Sequence, residues 1–373
     1  MDKETLSNYG WIVICVLVLV VMIALATPFG SFIADGIKST TSGLFDTNQN
    51  ALEAAGIIIG DSEFQVYEDY VFIASDYDAM MGTTFATDAH VVIPEKFEHN
   101  GIQYKITSIG DRAFYSCTSL ESIILPDSIT HIGKRAFQGC ISLKEITIPR
   151  LVTSTGIYTF ANCSSLERVT IVGNLTGISE RMFNNCYALQ NINIPNSVTS
   201  LGADAFNGCK SLVSISIPNT VAYLADDVFF NCESLKSVNI PTGITSLSSG
   251  TFRGCKSLEE IFIPNNINRI ENTAFYNCHS LKNINIPNGV TYIGEYTFNN
   301  CYSIETITIP NSVQEIGIYA FLHAESLNSI QFSDTILVWE NVSKGYYWNG
   351  YIPATYVQCI DGVVVLTPAM GTI

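Results

Sequence analysis

Cysteine is the most reactive side chain that this sequence repeats, and its spacing is regular. Of eleven cysteines, nine follow one another at intervals of 23 residues: Cys117, Cys140, Cys163, Cys186, Cys209, Cys232, Cys255, Cys278 and Cys301. Zinc-binding cysteines typically come in pairs about two to four residues apart, and no such pair occurs here. The pattern therefore favours small apolar side chains stacked in a core, with disulfides between neighbouring copies as the alternative.

Other residues with catalytic or metal-binding side chains do not form a motif. The five histidines share no pattern with a nucleophile and do not recur with the cysteines; they are His90, His99, His131, His279 and His323. The acidic cluster Asp61, Glu63, Glu68, Asp69, Asp76 and Asp78 could offer oxygen ligands to calcium, but it lacks the spacing of an EF-hand loop. We therefore expect no enzyme activity, no cofactor and no metal site.

Aromatic residues are concentrated near the end of the chain, at Trp339, Tyr346, Tyr347, Trp348, Tyr351 and Tyr356. Exposed rings could stack on sugars, whereas buried rings could cover the last unit of a repetitive fold. We favour the second interpretation, because an array of repeats needs a cap at each end.

The charge of the chain excludes some partners. The formal net charge is −16, and residues 1–104 hold 14 of the acids but only three of the bases. Nucleic acids and anionic lipids are bound through clustered lysine and arginine, and no basic stripe is present. Hydrophobic residues make up 47% of the sequence and charged residues 14%, which predicts a folded chain with a long interior.

The first 34 residues predict a membrane segment. Residues 11–34 carry no charge, and roughly 20 apolar residues suffice for a helix to cross a bilayer. The alternative is a secretory signal peptide cleaved after Ala26. We favour a retained transmembrane anchor, because the apolar run continues past Ala26 to Ile33 and acids outnumber bases before it.

The anchor precedes four further segments. Residues 35–60 read as a stalk, residues 61–104 as a β-rich amino-terminal cap, residues 105–333 as repeats and residues 334–373 as a carboxy-terminal cap. We expect the repeats outside the cell, although the few charges flanking residues 11–34 determine the orientation weakly.

The repeat predicts a solenoid of ten copies. Phenylalanine shares the cysteine spacing from Phe114 to Phe321, and Ala324 replaces cysteine in the tenth copy. Within one copy, Leu281, Ile284 and Ile286 are predicted to point inward. Ile284 and Ile286 alternate with Asn285 as in a strand, and Pro287 ends that strand. Val290 and Ile293 return across the core, and a short helical turn is expected at 296–298.

Each copy also carries a turn signal. The residue before the cysteine is Asn or Gly in eight of the nine cysteine copies, with Ser116 as the exception. Asn and Gly accept positive φ most readily, so we predict a left-handed residue there.

The motif Leu-x-x-Ile-x-Ile-Pro-x-x-Val-Thr-x-Ile-Gly-x-x-Ala-Phe-x-x-Cys resembles the BspA-type class of leucine-rich repeats. The resemblance covers residues 105–333, and the tail, with Trp339, Trp348 and Cys359, resembles the carboxy-terminal cap of that family. Val172 and Ser333 in place of proline, Ala324 in place of cysteine and Glu271 in place of a small residue depart from the pattern. The resemblance implies a leucine-rich-repeat solenoid, with a parallel β-sheet and short helical or loop returns.

The outward strand positions are the candidate binding surface, on what we expect to be the concave face. They are mostly Ser, Thr, Asn and Gln, which suits many weak polar contacts with a protein or glycan. We single out seven residues for binding: Glu145, Arg168, Lys236, Glu260, Phe262, Lys282 and Glu305.

Two functions fit these features. The resemblance implies a bacterial surface protein used in adhesion, so the first is a non-enzymatic recognition module anchored in the cell membrane with its repeats extracellular. The second is a structural envelope protein, pilin-like or a scaffold, in which the solenoid is a spacer.

Overall fold

The computed structural model describes residues 57–59, 62–67, 70–73, 89–99 and 102–366. The predicted anchor at 1–34 and most of the predicted stalk lie outside these residues. Within the described part of the chain, no helix is long and apolar enough to cross a membrane.

The described residues form 28 short strands and one helix, α1. In chain order they are β1 Ile57–Ile59, β2 Ser62–Tyr67, β3 Tyr70–Ile73, β4 His90–Val92, β5 Lys96–His99, β6 Ile102–Ile109, β7 Ser122–Ile124, β8 His131–Ile132, β9 Glu145–Ile148, β10 Ser154–Thr155, β11 Arg168–Ile171, β12 Gly177–Ile178, β13 Asn191–Ile192, β14 Ser200–Leu201, β15 Ser214–Ile215, β16 Tyr223–Leu224, β17 Ser237–Val238, β18 Ser246–Leu247, β19 Glu260–Ile261, β20 Arg269–Ile270, β21 Asn283–Ile284, β22 Tyr292–Ile293, β23 Thr306–Ile309, β24 Glu315–Ile316, β25 Ser329–Phe332, α1 Ile336–Glu340, β26 Ser343–Lys344, β27 Tyr356–Cys359 and β28 Gly362–Val365.

The repeats wind into a parallel β-solenoid in which each copy forms one rung with two strands. The front ladder is formed by β4, the odd-numbered strands from β7 to β25 and β27. Within the repeats it pairs residues 23 apart, such as Arg168 with Glu145. The back ladder, formed by β6 and the even-numbered strands from β8 to β26, has the same parallel register across the repeats. Residues at equivalent positions of successive repeats therefore lie one above the other along the array.

The ends of the array are antiparallel. Before the repeats, β1, β2 and β3 pair antiparallel, and β5 pairs antiparallel with β6. After the repeats, β27 turns back into the antiparallel strand β28. Trp339 of α1 is buried and contacts both Phe332 and Trp348 at the edge of their rings, so the two tryptophans cover the last repeat.

The core consists of columns of like side chains. Leu281, Ile284, Ile286, Val290 and Ile293 are all buried, which confirms their predicted inward direction. The ten phenylalanines are buried and stack with ring centroids between 5.1 and 5.7 Å apart. The nine repeat cysteines are buried and free, and from Cys140 onward each thiol donates to the phenylalanine carbonyl of the preceding rung, as Cys209 Sγ does to Phe183 O at 3.3 Å.

The third side of each rung differs from the predicted helical turn. Tyr296, Phe298 and Asn300 each donate their backbone N–H to the following rung, at 2.9, 2.7 and 2.9 Å, instead of forming a helix. Positive φ occurs not only at Asn300, as predicted, but also at Tyr296. The predicted exception Ser116 has φ +56°, so its neighbours impose the left-handed conformation there.

Two serines interrupt the back ladder. The residue after each back strand usually donates its N–H to the preceding rung, as Gly202 does to Ile178 O at 2.8 Å. Ser179 and Ser248 occupy this position at the two places where back strands do not pair, between β10 and β12 and between β16 and β18. Here the serine hydroxyl donates to the preceding rung in place of the backbone N–H. Ser179 donates to Gly156 O at 2.7 Å and Ser248 to Leu224 O at 2.5 Å. Glu271 occupies the equivalent position and keeps the backbone hydrogen bond, so the size of the side chain alone does not explain the loss of that bond at the serines.

Replacing Ser248 with glycine should restore the missing bond. Without the competing hydroxyl, the amide of residue 248 can donate to Leu224 O as Gly202 does to Ile178 O. We expect slower hydrogen exchange at this amide in Ser248→Gly, measured by NMR or mass spectrometry. Ser179, unchanged in both proteins, is the internal control, and a wild-type amide at 248 as protected as that of Gly202 would contradict the interpretation.

Candidate functional site

The front ladder presents three outward side chains in every rung. Strand alternation turns Ile146 and Ile148 of β9 inward and leaves Glu145 and Thr147 exposed. Because the rungs are in register, the exposed residues form three straight rows along the array, separated by the spacing of β-strands, about 4.8 Å.

All seven predicted binding residues lie exposed on this ladder. Glu145, Arg168 and Glu260 begin β9, β11 and β19, and Phe262 follows β19. The other three immediately precede their strands: Lys236 before β17, Lys282 before β21 and Glu305 before β23.

Three of the predicted residues, Glu145, Arg168 and Lys282, form ion pairs with residues of a neighbouring rung. Arg168 donates to Glu145 at 2.8 Å, Lys144 to Glu121 at 2.7 Å, and Lys282 lies 3.4 Å from Glu259. The hydrogen bond from Lys144 lowers the pKa of Glu121, and the hydrogen bond to Glu145 raises the pKa of Arg168. These exposed pairs satisfy each other, so they align the rungs more than they offer free charge.

Four of the predicted residues line two depressions that share Glu260 and Asn283. The larger measures about 540 Å³ and is lined among others by Glu260, Phe262, Asn283, Asn285, Thr306 and Thr308. The smaller, about 310 Å³, is lined by Lys236, Glu259, Glu260, Lys282 and Asn283. Thus Lys236, Glu260, Phe262 and Lys282 come together, whereas Glu145, Arg168 and Glu305 line neither depression.

The asparagines and threonines of the larger depression are not among the seven predicted binding residues. Asn283 and Asn285 occupy the two outward strand positions of β21 and the residue after it, and Thr306 and Thr308 repeat this one rung later. Their position directly after Glu260 and Phe262 in the 23-residue rows was the available signal.

The depression opens where the front ladder is interrupted. Strands β15 and β17 pair, and β19 and β21 pair, but no pairing joins β17 to β19 among the described strands. Asn239, which follows β17, accepts from Ile217 N at 2.8 Å and donates to Ile217 O at 2.6 Å. Its amide thus turns toward the preceding rung and away from Phe262.

The buried repeat cysteines are poorly placed to act as nucleophiles. Burial raises the pKa of Cys117 to about 12, and burial also raises the pKa of Cys140, Cys186 and Cys209. A thiol that stays protonated and out of solvent neither attacks a substrate nor binds a metal.

One histidine contacts a hydroxyl on the front ladder. His90 Nδ1 lies 2.8 Å from Ser122 Oγ, and both residues are on paired strands. The adjacent carboxylate of Glu121 is engaged by Lys144 and forms no hydrogen bond with the imidazole. A catalytic triad needs a group that orients the base, so this pair is a contact between strands.

The remaining candidates from the sequence are metal ligands, the acidic cluster and the aromatic residues near the end of the chain. Within the described residues, no group of three or more His, Cys, Asp or Glu is placed to hold a metal ion. Of the acidic cluster at 61–78, only Glu63 lies within the described residues. Of the aromatic cluster, Trp339 and Trp348 are buried, whereas Tyr346, Tyr351 and Tyr356 are exposed.

Comparisons with known proteins agree with this architecture. A family profile described as "BspA type Leucine rich repeat region (6 copies)" matches residues 95–213, 177–305 and 254–343. The search of curated proteins gave no match.

Solved structures of bacterial leucine-rich repeat proteins are similar to this chain. One from Bacteroides ovatus is 26% identical with a TM-score of 0.64, over 82% of this chain and 76% of its own. A leucine-rich repeat protein of T. pallidum is 25% identical with a TM-score of 0.43, over 61% and 92%. A leucine rich cell surface protein from Faecalibacterium prausnitzii is 23% identical with a TM-score of 0.42, over 78% and 97%.

Proposed function

Because the chain belongs to the family of BspA-type leucine-rich repeat proteins, we propose that it is a non-enzymatic recognition and adhesion protein of the cell surface. In this proposal the front ladder binds a protein or glycan partner, and residues 11–34 hold the chain in the membrane with the repeats outside. No cofactor takes part.

The observation that supports the proposal most directly is the arrangement of the front ladder. A continuous packed core holds three rows of exposed polar side chains in register. Such an array can contact an extended partner at many points without rearranging, which lowers the entropic cost of binding. The depression around Glu260 and Phe262 adds a place where a partner group can rest against the ladder.

The proposal is tested by blocking one ladder at a time in cells that express the full chain. A front variant carries Thr170→Arg, Ser216→Arg and Thr308→Arg, all at exposed positions of the front ladder. A control carries His131→Arg, Ser154→Arg and Tyr223→Arg, at exposed positions of the back ladder. Both variants introduce three arginines at exposed positions, one set on each ladder.

We expect cells with the wild-type or control protein to attach to an epithelial monolayer, and the front variant to attach no better than cells lacking the protein. External trypsin should release the repeats and abolish attachment. Equal attachment of both variants would refute recognition through the front ladder, and repeats that trypsin reaches only after lysis would refute surface display.

A further inference from the structure

Phe262 is an aromatic side chain without a structural role in the fold. This residue is 72% exposed, and it is the only aromatic residue among the outward positions of the front-ladder strands, the odd-numbered strands from β7 to β25. By contrast, the ten phenylalanines of the 23-residue column from Phe114 to Phe321 are all buried in the core. An exposed ring on a packed framework is costly in water and available for contact with a ligand.

At least one face of this ring is open. In the same row, Asn239 precedes Phe262 and Asn285 follows it. The amide of Asn239 is bound to the backbone of Ile217 in the preceding rung, and Ser237 and Val238 line the depression on that side. A flat apolar group can therefore lie against the ring from the side of β17.

Hydrogen-bonding groups surround the ring and are not committed to the fold. The side chains of Glu260, Asn283, Asn285, Thr306 and Thr308 form no hydrogen bond or ion pair with another described residue. A carboxylate accepts hydroxyl protons, and an asparagine amide both donates and accepts. The set matches a ligand with several neighbouring hydroxyl groups.

The charges around the depressions are nearly balanced. Lys236 and Lys282 line the smaller depression together with Glu259 and Glu260, and Lys282 is already paired with Glu259. A polyanion such as a sulfated glycan would meet Glu260 without a cluster of bases. A protein interface usually gathers several apolar anchors at its centre, whereas the exposed neighbours of Phe262 in its row are asparagines.

From these observations we infer that Phe262, Glu260, Asn283 and Asn285 form a subsite for a neutral saccharide. The apolar face of a pyranose ring stacks on Phe262, and its hydroxyls bond to the carboxylate and the two amides. The depression of about 540 Å³ lies within the range of small-ligand sites, about 300–1,000 Å³. The inference rests on the proposed function, because it assigns a ligand class to the front ladder.

The test uses the full chain in a detergent without a sugar headgroup, with maltotriose, cellotriose, mannotriose and N-acetylchitotriose as probes. A sulfated disaccharide serves as the polyanion. Wild type, Phe262→Ala, Phe262→Trp and Ile124→Ala are compared by saturation-transfer NMR and by titration. Ile124 is the matched control, since it is an apolar residue in the row of Phe262 and is also exposed.

We expect wild type to bind at least one of the trisaccharides, with affinity lowered about tenfold or more in Phe262→Ala. Phe262→Trp should retain binding and Ile124→Ala should leave it unchanged. The inference is overturned if no trisaccharide binds, if Phe262→Ala binds like Ile124→Ala, or if the sulfated disaccharide binds better. If attachment of cells still depends on the front ladder in that case, the proposed function stands and only the ligand class is wrong.

Discussion

Phe206→Asp is expected to unfold or divide the solenoid. Phe206 is fully buried, and its ring stacks between Phe183 at 5.5 Å and Phe229 at 5.6 Å. Truncating a buried phenylalanine alone costs about 3–5 kcal/mol, and the substitution also buries a carboxylate without a partner. Each rung contacts mainly its neighbours, so the damage falls on the middle of the array.

Thermal denaturation followed by circular dichroism, together with limited proteolysis, measures this effect. The melting temperature should fall strongly, and proteolysis should cut near residue 206 and leave fragments from both sides. Phe262→Asp makes the same chemical change at an exposed position and should melt like wild type. An unchanged melting temperature for Phe206→Asp would show that the inward assignment of this column is wrong.

Alkaline pH is expected to unfold the protein through its buried thiols. Burial raises the pKa of Cys117 to about 12 and raises the pKa of seven further repeat cysteines: Cys140, Cys186, Cys209, Cys232, Cys255, Cys278 and Cys301. An unfolded thiol has a pKa of about 8.5. Above that pH the unfolded chain releases these protons and the folded chain keeps them, so stability falls as pH rises.

The size of the effect follows from the number of thiols. Each contributes about 1.4 kcal/mol per pH unit between the unfolded pKa, about 8.5, and its own raised value. Eight together amount to roughly 11 kcal/mol per pH unit, which is comparable to the whole stability of a typical domain. The stabilising contribution is fully present below about pH 8.5 and is lost above it.

Urea denaturation at pH 8, 9 and 10 under reducing conditions measures the loss. The comparison is a variant with Cys209→Ala, Cys232→Ala and Cys255→Ala, for which Ala324 in the tenth copy is a precedent within the chain. The variant should start less stable, but its free energy of unfolding should fall less steeply with pH, because three titrating thiols are absent. Equal slopes for the two proteins would mean that tyrosines and lysines, not the thiols, cause the alkaline transition.

The fold class and most of the core were predictable from the sequence. A period of 23 residues places each side chain beside the equivalent position of the next copy. The inward or outward direction of a residue in one copy therefore applies to the same position in all ten copies. The inward direction of Leu281 and Ile284 and the positive φ of Asn300 were therefore predicted and are confirmed. The seven binding residues remain predictions, although four of them meet at the depressions.

Other features depend on contacts between rungs, which one copy does not reveal. Tyr296 adopts a left-handed conformation although it is neither Asn nor Gly. Backbone hydrogen bonds to the following rung impose this conformation. Likewise, the tertiary structure decided that Ser248 exchanges a backbone bond for a hydroxyl bond and that Asn239 turns away from Phe262. The sequence repeat by itself determined which side chains stack, because stacking needs only the 23-residue period. The depression in the front ladder, in contrast, depends on where individual side chains compete with the backbone for hydrogen bonds, and only the tertiary structure decides that.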